Sequence, residues 1–436
     1  MLVVVAAWVA TRWNVWFHNA PEASYAPLRE PGRVLLTFAG DERSRFVTWQ
    51  CDNVVRPAWL ELVQQPDGDT VRIEARGEVF VSRSGKAAYY QARLDGLEPS
   101  ARYAYRVGVE NEGSDWYSFE THPSGKRPFA FLYIGDVQDT LQGETNRFLR
   151  EALRRHPSCE FTLCGGDLVE RPTDSYWGEA FRNLDSVGQC MPFVTVTGNH
   201  DYFKGVIQRI ERRFDLVFPY FQTTSTDDNR LLALDYADAR LLLLDSNRRP
   251  HKLWQQRRWL NRQLKESRAH WNILVLHHPL YSIKGGNNLV QRWLFDGVAR
   301  EHGVDLVLQG HEHAYARMTN RDSEGRATTP VYTVSHCSPK NYRIQFDKRF
   351  DRFGISSRYY QVVEITDTVL TVSAYDVYEH RLYDSLRIVK PQGKPSVRIE
   401  DLGRNIPEYL EYTPRKGNRK DEKFAERIRR YKCLSS

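Results

Sequence analysis

"DLVLQGHEHAYAR", residues 305–317, runs from an apolar stretch straight into a glycine and two histidines one residue apart. A short apolar run bounded by turn residues reads as a buried strand. The stretch therefore offers His311 and His313 at the end of that strand, with Glu312 between them. A His-x-His pair alone is a weak metal signal. It gains weight only if other strand ends bring complementary ligands to the same place.

Four further segments have that form. "FAFLYI" (129–134) leads into Gly135-Asp136-Val137-Gln138, and "FTLC" (161–164) into Gly165-Gly166-Asp167-Leu168-Val169-Glu170. "FVTV" (193–196) leads through Thr197 to Gly198-Asn199-His200-Asp201, and "ILVL" (273–276) into His277-His278-Pro279. In open α/β sheets, ligands bind outside the carboxyl ends of the strands, so five such endings can converge on one crevice. Glycines before Asp136, Asp167, Asn199 and His311 permit sharp turns that aim the next side chain inward. Carboxylate, amide oxygen and imidazole together suit borderline divalent ions. One Asp can bridge two of them, and two metals about 3.5–4 Å apart form the clamp used for in-line displacement at phosphorus.

Outward from the site, the chain divides by its periodicity. Residues 31–120 alternate apolar with polar in short runs such as "RVLLTFAG", "RFVTWQ" and "VRIEARGEVF", separated by Gly, Asp, Ser and Pro. That pattern predicts a small β-sandwich. After the joint "THPSGKRP" (121–128), strands alternate with amphipathic stretches such as "ETNRFLREALRR" (144–155) and "WQQRRWLNRQL" (254–264). Strands alternating with helices predict an α/β domain. In the second helix Trp254, Trp259, Leu260 and Leu264 are expected to share a face and pack into the core. The expected organisation is a leader-like segment at 1–12, an all-β sandwich at 13–123, an α/β domain at 124–390 and a basic, solvated tail at 391–436.

Composition sets the bounds. The 436 residues are 41% hydrophobic and 27% charged, with a net charge of +7, which is ordinary for a globular protein. The mild positive charge suits an anionic substrate, and no basic groove interleaved with aromatics points to nucleic acid. The apolar start "MLVVVAAWVA" is too short to span a membrane but has the length of a signal-peptide core, so export is expected. Six cysteines (51, 159, 164, 190, 337 and 433) form no C-x-x-C pair, and buried free thiols are the default reading.

The five motifs, in order, resemble the calcineurin-like metallophosphoesterases, whose pattern is GD-x, GD-x-x-Y, GNH-[DE], V-x-x-H and GH-x-H. The "HAYAR" ending and "VLHHPLY" resemble the purple acid phosphatase group, and residues 31–120 are similar to its fibronectin-III-like domain. The resemblance spans roughly residues 14–390. It implies a metal-dependent phosphatase with two divalent ions, iron, manganese or zinc, acting on a phosphorylated small molecule or surface substrate. It also implies roles for individual residues. Asp136 and His313 would bind the first metal, Asp167 would bridge, and Asn199, His277 and His311 would bind the second. His200 would protonate the leaving group with Asp201 orienting it, and Asn199, His200 and Arg317 would contact the phosphate. His278 reads as packing beside a ligand.

Two departures from the family pattern matter. The tyrosine of GD-x-x-Y is Glu170 here, so the phenolate that colours purple enzymes is missing. Gln138 stands where most of these enzymes carry histidine and the purple group glycine. By reach, Gln138 is favoured over Glu170 as the remaining first-metal ligand. "SIKGGNNLVQRW" lacks the purple group's additional histidines, leaving Lys284 and Asn287 as expected phosphate contacts, while His336 and Lys340 stay unassigned. A phosphodiesterase with the same clamp, or a phosphate- or glycan-binding surface protein with a relic site, are the alternative readings.

Overall fold

A computed structural model of the chain describes residues 11, 13, 17–19, 21–205, 208–221, 230–285, 288–393 and 396–435. The apolar start on which the leader expectation rests (1–10) lies outside the described residues, as does Asn287. Among the described residues no helix is long and apolar enough to cross a membrane.

The N-terminal region is the expected β-sandwich. Gly32–Phe38, Arg45–Gln50 and Lys86–Leu94 form one sheet, and Ala58–Gln65, Arg102–Val109 and Tyr117–Glu120 the other. The long strand Thr70–Val81 joins both, because its first half pairs with Ala58–Gln65 and its second with Lys86–Leu94. Val34 and Leu36 face the sandwich core with Trp49, Tyr90 and Tyr105, whereas Leu35 points the other way into the core of the next domain. That two-sided burial couples the domains. Arg33 adds a two-point ion pair with Asp174 at 2.8 and 3.0 Å.

The α/β domain stacks two seven-stranded mixed sheets. In one, Phe129–Ile134, Cys159–Cys164 and Phe193–Thr195 run parallel; in the other, Ala239–Leu244, Trp271–Leu276 and Leu306–Gln309 do. The parallel strands read as unbroken apolar runs because both faces are buried. Leu241, Leu243, Ile273 and Val275 meet the facing sheet, while Leu242, Leu244, Leu274 and Leu276 meet the helices Pro250–Glu266 and Leu289–Glu301. The carboxyl ends of both parallel sets open on the same edge, where a bridge between Asp136 and His336 ties in the loop after Ala327–Val334.

Three expectations are corrected. Trp254 is 41% exposed and meets Trp293 edge-on at 5.1 Å; the buried stripe of its helix is Leu253, Gln256, Leu260 and Leu264, and Trp254 sits beside it. The tail is not a solvated appendage. Arg398–Asp401 pairs with Leu382–Val389, and in the helix Arg419–Ser435 Phe424 and Ile428 are buried, with Tyr431 stacked on Phe346. Spacing of i, i+4 and i+7 puts those three on one face beneath a basic exterior. Cys51, Cys159, Cys164 and Cys337 are buried thiols as expected, but Cys190 and Cys433 are exposed.

Candidate metal centre

All five strand-end motifs converge. Asp167 sits at the centre: its Oδ1 accepts the His200 backbone N–H at 2.7 Å, and its Oδ2 lies 2.9 Å from Gln138 Nε2 and 3.3 Å from His277 Nε2. Asn199 Oδ1 lies 3.1 Å from His277 Nε2 and 2.8 Å from His311 Nδ1. Ligand atoms of Asp167, His277 and His311 fall within 4.8 Å of one another. A second group lies beside it, with Asp136 Oδ2 2.9 Å from His313 Nε2. His277 Nδ1 meets the Gly165 carbonyl at 2.9 Å and His313 Nδ1 the Lys340 carbonyl at 3.1 Å, which fixes each ring with its Nε2 facing the centre.

Strand-end glycines are required here chiefly by space. A Cβ on Gly198 would collide with the Asp167 carboxylate, and one on Gly310 with that of Asp136. Only Gly166 among the four expected turn glycines has a left-handed φ, +91°. Instead Gln138, Asp167 and His311 themselves adopt positive φ (34°, 51° and 69°). Strained backbone of this kind costs on the order of 1–3 kcal/mol per residue and clusters at functional sites.

The electrostatics fit cations. Burial disfavours a charged His277, yet the Asp167 and Asp136 carboxylates outweigh it and push its pKa up to about 10. Burial raises Asp167 too, but His277 and His200 hold it below the usual carboxylate range. Burial and the neighbouring His278 push His311 well down, keeping its lone pairs available. Gln138 Oε1 is buried without a hydrogen-bond partner, and the buried Asp136 Oδ2 has only the His313 ring beside it at 2.9 Å. Buried acceptors left unpaired are costly, and a divalent ion is the group that would satisfy several at once.

Residues 129–315 match the calcineurin-like phosphoesterase family, and residues 31–121 the N-terminal domain of purple acid phosphatases. The chain thus carries a calcineurin-like phosphoesterase domain. Purple acid phosphatase 18 of Arabidopsis thaliana is 26% identical over 321 residues, covering 68% of this chain and 68% of that relative. A purple acid phosphatase of Glycine max is 24% identical over 275 residues, covering 58% of this chain and 56% of its own. Two solved structures share the fold. Purple acid phosphatase PPD1 from yellow lupin (Lupinus luteus) seeds has a TM-score of 0.68 at 16% identity, covering 84% of this chain and 75% of that one. The structure of PhoD has a TM-score of 0.64 at 13% identity, covering 95% and 100%. The family implies divalent metal ions, and this chain is a metal-dependent phosphatase.

Within this metallophosphoesterase the sequence-expected residues divide into three sets. Asp136, Gln138, Asp167, Asn199, His277, His311 and His313 come together as described above. His278 packs against the His311 ring at 4.4 Å and bonds Ser246 Oγ at 3.0 Å; burial and His277 push it down to about 3. Glu170 turns its carboxylate to Lys340, while its backbone carbonyl meets His200 Nδ1 at 2.7 Å. That carbonyl orients the ring, and Asp201 does not, since Asp201 Oδ2 instead accepts the Gly198 N–H at 2.7 Å. Arg317 is a clear correction. It is 2% exposed and bound to Asp384 at 2.7 Å, with Tyr315 on the same carboxylate, so it buttresses two sheets and cannot reach a phosphate.

Two residues that matter were missed. Glu312, between the two histidines, accepts bonds from Ser282 Oγ and from the Ile283 and Lys284 N–H groups, fixing the loop that carries Lys284. Tyr342 stacks on His313 at 4.2 Å, and Lys284 Nζ lies 4.1 Å above the Tyr342 ring. Nothing in the local sequence around Tyr342 signals that placement. Glu312 was visible as the acid between the two histidines.

Proposed function

We propose that this phosphatase hydrolyses phosphate monoesters with two divalent ions. Asp136, Gln138 and His313 would hold one, Asn199, His277 and His311 the other, and Asp167 would bridge them. When bound, such a pair supplies Lewis acidity to the phosphoryl group and to the attacking water. The observation that carries the reading is the convergence of Asp167 with Asn199, His277 and His311 beside the Asp136–His313 pair.

Gln138 is preferred over Glu170 as the remaining ligand of the first metal because its amide already touches Asp167, and a half-turn of that amide presents the carbonyl instead. Glu170 is engaged by Lys340. With a neutral Gln138, Asp136 and Asp167 are the only carboxylates among the proposed ligands. Four metal charges against two carboxylates leave an excess of two, which matches a monoester dianion better than a diester monoanion. Lys284 adds a cation on the Tyr342 side. His200 holds Nδ1 on the Glu170 carbonyl, leaving Nε2 as the atom that hands a proton to the departing alkoxide.

The test is hydrolysis of matched phosphomonoesters and phosphodiesters by protein loaded with manganese, zinc or iron. Monoester kcat/KM is expected to exceed diester kcat/KM by at least about tenfold. A diester preference would assign the site to phosphodiester hydrolysis instead.

A further inference from the structure

His200 marks the side of the site from which the leaving group departs, and that side is a cleft. A cavity of about 340 Å³ is lined by Asn199 and His200 together with Arg83, Arg171 and Lys204. Its volume lies in the range of small-molecule sites, and its concavity suits a compact ligand. Arg171 and Lys204 are both exposed there. Arg83 arrives from the sandwich domain, held by Glu22 at 3.0 Å and lying over the Phe203 ring at 5.0 Å. The acid of the lining, Glu170, is engaged by Lys340, so its charge is already matched. The cationic wall continues. A second cleft of about 770 Å³ shares Tyr202 and Gln208 with the first and adds Arg209 and Arg249.

A transferred phosphoryl group faces the metal ligands, and Arg171 and Lys204 line the His200 cavity without belonging to that ligand set. We propose that the leaving group of the substrate carries its own anionic group, phosphate or carboxylate, which Arg171 and Lys204 bind beside His200. This rests on the phosphatase reading and on His200 as the leaving-group side. Arg171 and Lys204 then determine specificity and act through KM, because their contacts are made equally in the ground and transition states.

The experiment uses three esters with matched four-carbon leaving groups: butyl phosphate, 4-(phosphonooxy)butanoate and butane-1,4-diyl bisphosphate. For the metal-loaded full chain, kcat/KM is expected to rise in that order, with the bisphosphate about tenfold or more above butyl phosphate, as one charge-assisted contact allows. The preference should shrink as salt is raised. In the double variant Arg171→Gln/Lys204→Gln the ratio should fall to about two, while butyl phosphate kcat/KM stays within about twofold of wild type and so reports an intact fold. Equal kcat/KM for all three esters in the wild type overturns the inference and leaves the phosphatase reading standing. A preference that survives the double substitution also overturns it. Failure to hydrolyse any of the three overturns the phosphatase reading itself.

Discussion

Replacing Asp167 by asparagine is the sharpest single perturbation of the centre, because it changes charge and almost nothing else. The asparagine Oδ1 can still accept the His200 N–H that Asp167 now accepts at 2.7 Å, so the loop should keep its shape. The negative charge is lost. Asp167 Oδ2 stands 3.3 Å from His277 Nε2, the position where positive charge is held in the metal-free protein. At an effective dielectric of about 20, a unit pair at that separation is worth about 5 kcal/mol, more than three decades in an equilibrium constant. A bridging ligand exerts that attraction on two cations. Asp167→Asn should therefore lose at least one of two metals by elemental analysis and fall by about 10³-fold or more in kcat/KM on an aryl phosphate. Two retained metals with activity within tenfold of wild type would refute the bridging role.

Other consequences are equally concrete. Because Glu170 replaces the family tyrosine, protein loaded with iron should be colourless; a visible tyrosinate-to-iron band would mean that Tyr342, stacked on His313, reaches the metal. His200→Ala should slow an alkyl phosphate by about 10²-fold or more, yet slow an activated aryl phosphate far less, with metal content unchanged. Equal losses on both substrates with depleted metal would make His200 structural or a ligand. Arg317→Met takes the nearest cation from the buried Asp384 carboxylate, leaving Tyr315 and Arg352, and should cost about 1–3 kcal/mol in chemical denaturation. A variant that is fully stable but has a raised KM would restore Arg317 as a phosphate contact.

The convergence was legible in the sequence because each proposed ligand lies just beyond an apolar strand, so local pattern and tertiary position coincide. Arg317 was not, for a related reason. Beyond His313 the chain enters the strand Tyr315–Arg321, where Tyr315 and Arg317 share a face and both find Asp384, a partner 67 residues from Arg317. No local spacing announces that carboxylate. Trp254 was misplaced by one position on its helix, about 100° of rotation, which separates the exposed Trp254 from the buried Leu253. In the tail, density of Lys and Arg hid the i, i+4, i+7 series of Phe424, Ile428 and Tyr431. Charge on the outer face says nothing about the inner one. Glu312 and Tyr342 depended on loops folding back from elsewhere in the chain, which periodicity does not encode.

The most direct measurement of the central claim is a metal titration of chelator-stripped protein, following hydrolysis of an aryl phosphomonoester as manganese or zinc is added. Two distinct ligand groups joined by Asp167 predict that activity stays low through the first equivalent, rises with the second and saturates at two per chain. Full activity at one equivalent, or activity that survives complete chelation, would contradict it.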